Sequence, residues 1–362
     1  MTVICEQPNH PGGVFHDGFG SRPRITERSG GRTIRRLWVA ASPRKTTARR
    51  LAFYGTFAIG AGLSTAFGRK HDVVFTSSPP LPGALGVAMA ARLRRMPYVL
   101  DVRDLWPAAA EALGELSNAR IIRALERAER WLYLHAAAVT ATTRPFCTHI
   151  DAVTGSSRAV HLPNGALDEL IARPDAPAPA DAPFVVGYVG NLGIAQGLEA
   201  LYTAAEILRD EPIRFLVVGD GPLAQTLQQR AAHLGNVEMR DPVPTADVGP
   251  VLESCHALLV PLRAHPVLES FVPSKLYDAM AVGRPAIVAA AGEPAALVTE
   301  SGAGVVVPPE DGRALADAIR RLAGDRDGAA AMGVAGRRAA RGHARSLQVE
   351  RLESVLIEAA AA

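Results

Sequence analysis

The sequence predicts an α/β protein of two Rossmann-like domains facing a cleft, each a parallel sheet with helices on both faces. Three observations carry this. At 362 residues the chain exceeds what one compact core holds. From residue 72 onward, short apolar strands alternate with amphipathic helices. That rhythm breaks once, at the proline-rich run Arg173–Pro183, and then restarts. The expected division is a first domain over 1–168, a linker over 169–183, a second domain over 184–341 and a terminal helix over 342–362.

Taken in order, Val3–Cys5 reads as an opening strand. Leu51–Gly68 is an uncharged stretch of eighteen residues between Arg49-Arg50 and Arg69-Lys70. It is short for a membrane span and carries four glycines, so it reads as a packed helix, with membrane-surface contact as the alternative reading. Strands are expected at Asp72–Thr76, Tyr98–Val102, Ala137–Ala141 and Ala159–Leu162, with helices at Gly83–Arg95 and Asn118–His135. The second domain should hold strands Phe184–Val189, Ile213–Val218, Val237–Arg240, Ala257–Val260, Ala286–Ala290 and Gly304–Val307. Helices should cover Gly197–Arg209, a segment after Gly219–Pro222, and then 312–323, 328–341 and 345–360. In such sheets ligands sit beyond the carboxyl ends of the strands.

Composition narrows the function. Residues 1–100 hold fifteen Arg and Lys against four Asp and Glu, and the rest of the chain holds 24 against 32. A basic first domain suits an anionic partner such as a phospholipid surface or phosphorylated lipid. No nucleic-acid recognition motif accompanies the charge. Cys5, Cys147 and Cys255 fit no zinc or disulfide spacing, and the start lacks a signal peptide, so a cytoplasmic setting is expected.

The segment most suggestive of chemistry is Phe271–Pro285. Pro273 can open a helix, Ser274 and Lys275 stand in its first turn, and Asp278 lies on the same face. Free N–H groups at a helix start, with a cation beside them, receive a phosphate. A carboxylate three residues on can accept from a diol. Lys275 is one of three lysines in a chain with 36 arginines, and the only one after residue 70. A compact point charge at that place suits a phosphate. Two glycine turns after strands offer further backbone donors: Gly190, Asn191, Gly193 and Gln196 in the first, Gly219, Asp220 and Gly221 in the second. In the first domain, Asp101, Arg103, Asp104 and Trp106 stand at the end of one strand and Ser78 and Pro79 at the end of its neighbour. Three charges and an indole grouped there either bind something or pair among themselves.

In family order, Thr76–Pro82, Asp101–Pro107, Leu162–Gly165, Gly190–Gly197, Val218–Pro222 and Pro273–Pro285 resemble glycosyltransferase family 4, the retaining enzymes of GT-B fold. The nearest branch adds N-acetyl-fucosamine-type sugars in surface-polysaccharide assembly. The resemblance implies a nucleotide-sugar donor, UDP-linked, and a lipid-linked saccharide acceptor at the cytoplasmic membrane face, with no metal or other cofactor. Gly190, Asn191 and Gln196 would face the diphosphate, Lys275 would offset charge on the leaving nucleotide, and Asp278 would hold the ribose. Catalytic roles fall on Lys275, Arg103, Asp104 and Glu269, and the acceptor would meet Ser78, Pro79, Asp101 and Trp106.

The sequence departs from that family in places. The usual Arg and Lys after the glycine turn are Asn191 and Gln196, which loads the phosphate role onto Lys275. The usual pair of glutamates becomes Ser270 and Asp278, with Glu269 one position away, and the usual His is Arg103. The same replacements mark the branch. Against the family pattern, Val3–Cys5 with Pro8–Gly12 corresponds to a second strand and its loop. About 35–40 residues holding the first central strand and helix would be absent, leaving unpaired sheet edges and an internal start codon as the explanation. Two other readings remain open at this point: a GT-B epimerase acting on a nucleotide sugar, and a truncated remnant that binds nucleotide without turnover.

Overall fold

A computed structural model describes residues 1–361 apart from 10–11, 45, 113, 115, 176–178 and 180–182. It divides into two compact units: Met1–His161 with Leu352–Ala362, and Leu162–Arg351. The division falls a few residues before the expected end of the first domain. The segment after it joins the second unit because short helix α6 and its flanks are tied there. Ala166 bridges to Ala344, and the Asp168 carboxylate accepts from the backbone and hydroxyl of Ser346. Residues 176–178 and 180–182 of the expected linker, like His10 and Pro11 of the opening loop, lie outside the described residues.

The first unit runs β1 (Thr2–Glu6), β2 (Arg24–Ser29), β3 (Arg32–Leu37), α1 (Thr47–Ala66), β4 (Val74–Ser78), α2 (Leu81–Leu93), β5 (Tyr98–Val102), α3 (Ala108–Ala112), α4 (Ala119–His135), β6 (Ala138–Ala141), α5 (Arg144–Thr154) and β7 (Ala159–His161). Its seven strands form two sheets rather than one. The first has the order β1-β3-β2, with β1 parallel and β2 antiparallel to β3. The second is parallel, in the order β4-β5-β6-β7. β1 and β4 each stand at an edge of their sheet. A small cluster of Leu37, Ala61 and Val87, with Ile4, Phe57 and Val74 against it, joins both sheets to α1 and α2.

The glycines of α1 have a packing reason. A Cβ on Gly62 would sit 3.0 Å from the Gly86 carbonyl, and one on Gly86 would sit 2.4 Å from that of Ala58. The two helices therefore touch backbone to backbone, which only glycine permits. The outward stripe of α1 is apolar instead: Leu51, Ile59, Leu63 and Phe67 are exposed, Phe67 by 85%. No helix among the described residues is long and apolar enough to cross a membrane.

The second unit continues with α6 (Asp168–Ile171), β8 (Phe184–Val189), α7 (Glu199–Ile207), β9 (Ile213–Val218), α8 (Ala224–Ala231), β10 (Val237–Arg240), α9 (Thr245–Glu253), β11 (Ala257–Pro261), α10 (Ser274–Ala281), β12 (Ala286–Ala289), α11 (Glu293–Ser301), β13 (Gly304–Val307), α12 (Gly312–Gly324), α13 (Arg326–Arg341) and the start of α14 (Arg345–Ala361), whose residues from Leu352 on belong to the first unit. Its single parallel sheet has the order β10-β9-β8-β11-β12-β13. Alternate strand residues feed two cores. Phe215, Leu259 and Ile287 pack with Leu201, Leu315 and Ile319 on one face. Leu216, Leu258 and Val288 pack with Leu276, Met280 and Val298 on the other. Strand order reverses between β8 and β11, and that switch point is where such sheets bind ligands.

Candidate active site

The loop after β8 meets Lys275 at the switch point. Pro273 is the N-cap of α10, in extended conformation and without a side-chain cap, so the N–H groups of Ser274 and Lys275 are left to an outside acceptor. The Lys275 ammonium donates to the Tyr188 hydroxyl at 2.7 Å and to Gln196 Oε1 at 3.3 Å. It also lies 4.0 Å from the centre of the Tyr188 ring. Tyr188 in turn donates to the Asn191 carbonyl at 2.6 Å, which ties ammonium, ring and glycine loop together. Gly190, at φ +146, lets the ammonium come close: a Cβ there would be 3.1 Å from Nζ. No carboxylate pairs with Lys275 among the described residues, and burial alone pushes its pKa down to about 7. This is a cation held out of water without a counter-ion.

Around it stand unspent donors. Gly193, Ile194 and Ala195 have no protein acceptor for their N–H groups among the described residues. Asn191 is exposed, and its amide lies between Gly193 and Gly221, so it faces both loops. Asp278, one turn along α10, accepts from the Leu167 backbone N–H, while its Oδ1 is buried without a partner. Burial raises its pKa to about 6. A buried acceptor with one open oxygen is a plausible seat for a hydroxyl group.

The second glycine turn is different from its expected role. Gly219 N–H goes to the Arg240 carbonyl at 3.2 Å, and Gly221 N–H to the Asp220 carboxylate at 2.7 Å. Those donors are spent, and Asp220 adds a negative charge. The glycines serve close packing instead: a Cβ on Gly219 would lie 1.9 Å from the Gly190 carbonyl. Gly219, Asp220 and Gly221 therefore pack against the first loop, with the Gly219 and Gly221 N–H groups already spent within the chain. Glu269 sits in a single 3₁₀ turn, exposed, with its carbonyl packed on Gly292, and Ser274 is exposed at the helix start.

In the first unit the expected cluster does gather at the ends of neighbouring strands. Ser77 pairs in register with Asp101, and the Arg103 N–H donates to the Ser78 carbonyl at 2.9 Å. Asp101 is committed to the fold: Thr140 donates to it at 2.7 Å and Arg103 pairs with it at 3.4 Å. Ser78 is buried, while Pro79 and Arg103 are exposed and Trp106 is half-buried. Asp104 is the carboxylate left with an open oxygen. Its Oδ1 is buried without a partner, and burial lifts its pKa to about 6 against the Leu105 N–H, which lowers it. Pairing thus accounts for Asp101, and Asp104 with Trp106 remains available to a ligand.

Sequence reasoning missed Tyr188. An aromatic residue in a buried strand reads as core, and nothing in its spacing distinguishes a ring that carries a cation.

Two α/β units, with Lys275 and a glycine loop at the switch point of the second, match glycosyltransferases of GT-B fold in both sequence and structure. Residues 183–325 match the glycosyl transferases group 1 family and residues 1–165 the glycosyl transferase 4-like domain. WcaI of Escherichia coli (strain K12), described as a colanic acid biosynthesis glycosyl transferase, is 28% identical over 357 residues, covering 89% of this chain and 83% of that protein. WbjE of Pseudomonas aeruginosa, described as a glycosyltransferase, is 26% identical over 275 residues, 71% of this chain and 68% of that one. Among solved structures, sucrose-phosphate synthase of Thermosynechococcus elongatus superposes with a TM-score of 0.71 at 19% identity, covering 98% of this chain and 87% of its own. HepE of Anabaena, solved with UDP-glucose, superposes with a TM-score of 0.67 at 17% identity, covering 98% and 99%. These structural likenesses speak for the fold.

Proposed function

We propose that this transferase moves a sugar, with retention of configuration, from a UDP-linked donor to a lipid-linked saccharide during surface-polysaccharide assembly. The carrying observation is Lys275, a desolvated cation without a carboxylate partner beside a loop of unspent N–H groups. A diphosphate supplies the missing charge, and the same contacts stabilise it as it leaves, which is where such a transfer gains most. Asp278 Oδ1 is placed to accept from the ribose diol, and Glu269 is the nearest carboxylate in sequence for the donor sugar. Asn191 and Gln196 add neutral donors, and Arg103, Asp104 and Trp106 offer the first unit's contacts to the acceptor. The UDP-glucose complex of HepE supports the donor class, and the colanic acid assignment of WcaI supports the setting.

The test is calorimetry with a panel of nucleoside diphosphates, followed by UDP-sugar-dependent product formation on a polyprenyl-diphosphate saccharide. UDP should bind in preference to the purine diphosphates. Tight UDP binding with no transfer to any lipid-linked saccharide would leave a binding protein and sink the reading.

Attachment to the cytoplasmic membrane face is part of the same proposal. The exposed stripe of α1, continued by Met89 and Leu93 on α2, is flanked by Arg49 and Arg50 before it and Arg69 and Lys70 after it. Apolar residues for the acyl boundary and cations for anionic headgroups fit an interfacial helix. Replacing Leu63 and Phe67 together by Asp should weaken co-sedimentation with phosphatidylglycerol vesicles by about tenfold or more, given roughly 1.5–3 kcal/mol per buried side chain. UDP affinity should stay unchanged. Undiminished co-sedimentation would remove this face from the account.

A further inference from the structure

At the other end of the second sheet lies a cavity of 750 Å³ whose walls include Arg284, Arg326, Arg337, Arg338 and Arg341. It opens where strands begin: Phe184 starts β8, His256 precedes β11 and Pro285 precedes β12. The six-residue β8 therefore separates it from the Lys275 loop by about 20 Å. Five of the sixteen described lining residues are arginines, against 36 in the whole chain of 362, and Asp175 is the one carboxylate among those described.

Two of the five have work in the fold. Arg284, 2% exposed, donates to the Cys255 and Glu253 carbonyls at 2.8 Å each. Arg337 pairs with Asp175 at 2.9 Å. The other three have no ion-pair partner among the described residues. Arg326 lies over the Phe184 ring at 4.7 Å, and that ring stacks on His256 at 5.0 Å. His256 is held neutral: its Nδ1 accepts from the Val185 N–H, so Nε2 is the nitrogen that donates, to the Pro179 carbonyl. Arg338 and Arg341 are exposed on the last turns of α13, on the rim. The chain thus gathers positive charge around one open cavity and leaves three of its arginines without an ion-pair partner among the described residues. Guanidinium groups bind phosphate oxygens in pairs, and several around one cavity suit an anion with more than one phosphate.

We propose that this cavity is a second anion site, distinct from the donor site, that binds a soluble polyphosphate compound through Arg326, Arg338 and Arg341 with Arg284 at its floor. The volume is that of a small-molecule pocket, large enough for a nucleotide-sized ligand.

The test uses inorganic tripolyphosphate and the full chain carrying Lys275→Ala, so that the donor site is disabled. Calorimetry should still find one binding event per chain, and the ligand should raise the melting temperature. Adding Arg338→Glu and Arg341→Glu, both on an exposed helix face, should weaken that event by at least about tenfold. Because charge reversal can perturb α13, the triple change Arg326→Gln, Arg338→Gln and Arg341→Gln is measured beside it, with circular dichroism to confirm the fold, and should weaken binding likewise. No tripolyphosphate binding to the Lys275→Ala protein would overturn the proposal. So would binding that survives both sets of substitutions, or arginine variants that lose only phosphatidylglycerol vesicles.

Discussion

Lys275→Ala should lower transfer by on the order of 10²–10³-fold, the scale expected when one preorganised group facing developing negative charge is removed. UDP binding should weaken with it, since Lys275 is the cation that Tyr188 and Gln196 hold at the loop. Lys275→Arg keeps the charge but loses the compact ammonium that fits between Gly190 and Tyr188, so it should recover binding only in part. The pH dependence identifies the group. In the free protein burial holds Lys275 near 7. A bound diphosphate favours the charged form and raises that value, so binding takes up a proton above pH 7. Wild-type affinity, divided by that of Lys275→Arg, should be flat below pH 7 and fall by up to tenfold per unit above it. Calorimetry in two buffers of different ionisation enthalpy reads the proton directly. A ratio that does not change with pH would mean that Lys275 is not the phosphate's partner. The same shift has the opposite sign for the ligand-free fold. The unfolded chain binds the extra proton between about 7 and 10.5, so stability rises with pH across that window.

Gly219→Ala is the second large expectation, and it separates a buttress from a cradle. The new Cβ would lie 1.9 Å from a backbone carbonyl that cannot swing aside, at a φ of +153. Strain and overpacking together should cost roughly 2–5 kcal/mol. At about 2–4 °C per kcal/mol the melting temperature drops clearly. UDP binding should fall too, because the displaced atom is the Gly190 carbonyl, on the residue that Lys275 touches. Gly235→Ala is the control, since nothing lies within 4 Å of a Cβ there. If the two variants melted together, the loops would not be interlocked as described.

Much of the second unit was legible because its strands are short and separated by helical runs, with the central β8, β9, β11 and β12 largely buried. Phe184–Val189, Ile213–Val218, Val237–Arg240 and Gly304–Val307 occur with the expected bounds. The hairpin of β2 and β3 was not read. Its strands, Arg-Ile-Thr-Glu-Arg-Ser and Arg-Thr-Ile-Arg-Arg-Leu, carry charge on both faces and bury little. The Gly30-Gly31 turn between them was the one available sign. In the site, Lys275 announced itself by rarity, and Asp278 by its place one turn on. Glycine turns after strands look alike in sequence whether their N–H groups are free or spent. The Gly219 turn was therefore read as a cradle, and only the destinations of its hydrogen bonds show otherwise. Asp101 and Asp104 likewise differ by their partners, which a motif cannot display.

The two sheets of the first unit bear on how that unit opens. Among the described residues, contact from β1-β3-β2 to the helices it shares with β4-β5-β6-β7 runs through Leu37, Ala61 and Val87 with a few half-buried neighbours, and through Arg35, which donates to the Ser64 carbonyl and hydroxyl. A join so thin in buried apolar area makes cooperativity local. The hairpin sheet can detach as its own unit of exchange with water while the parallel sheet and the whole second unit stay closed.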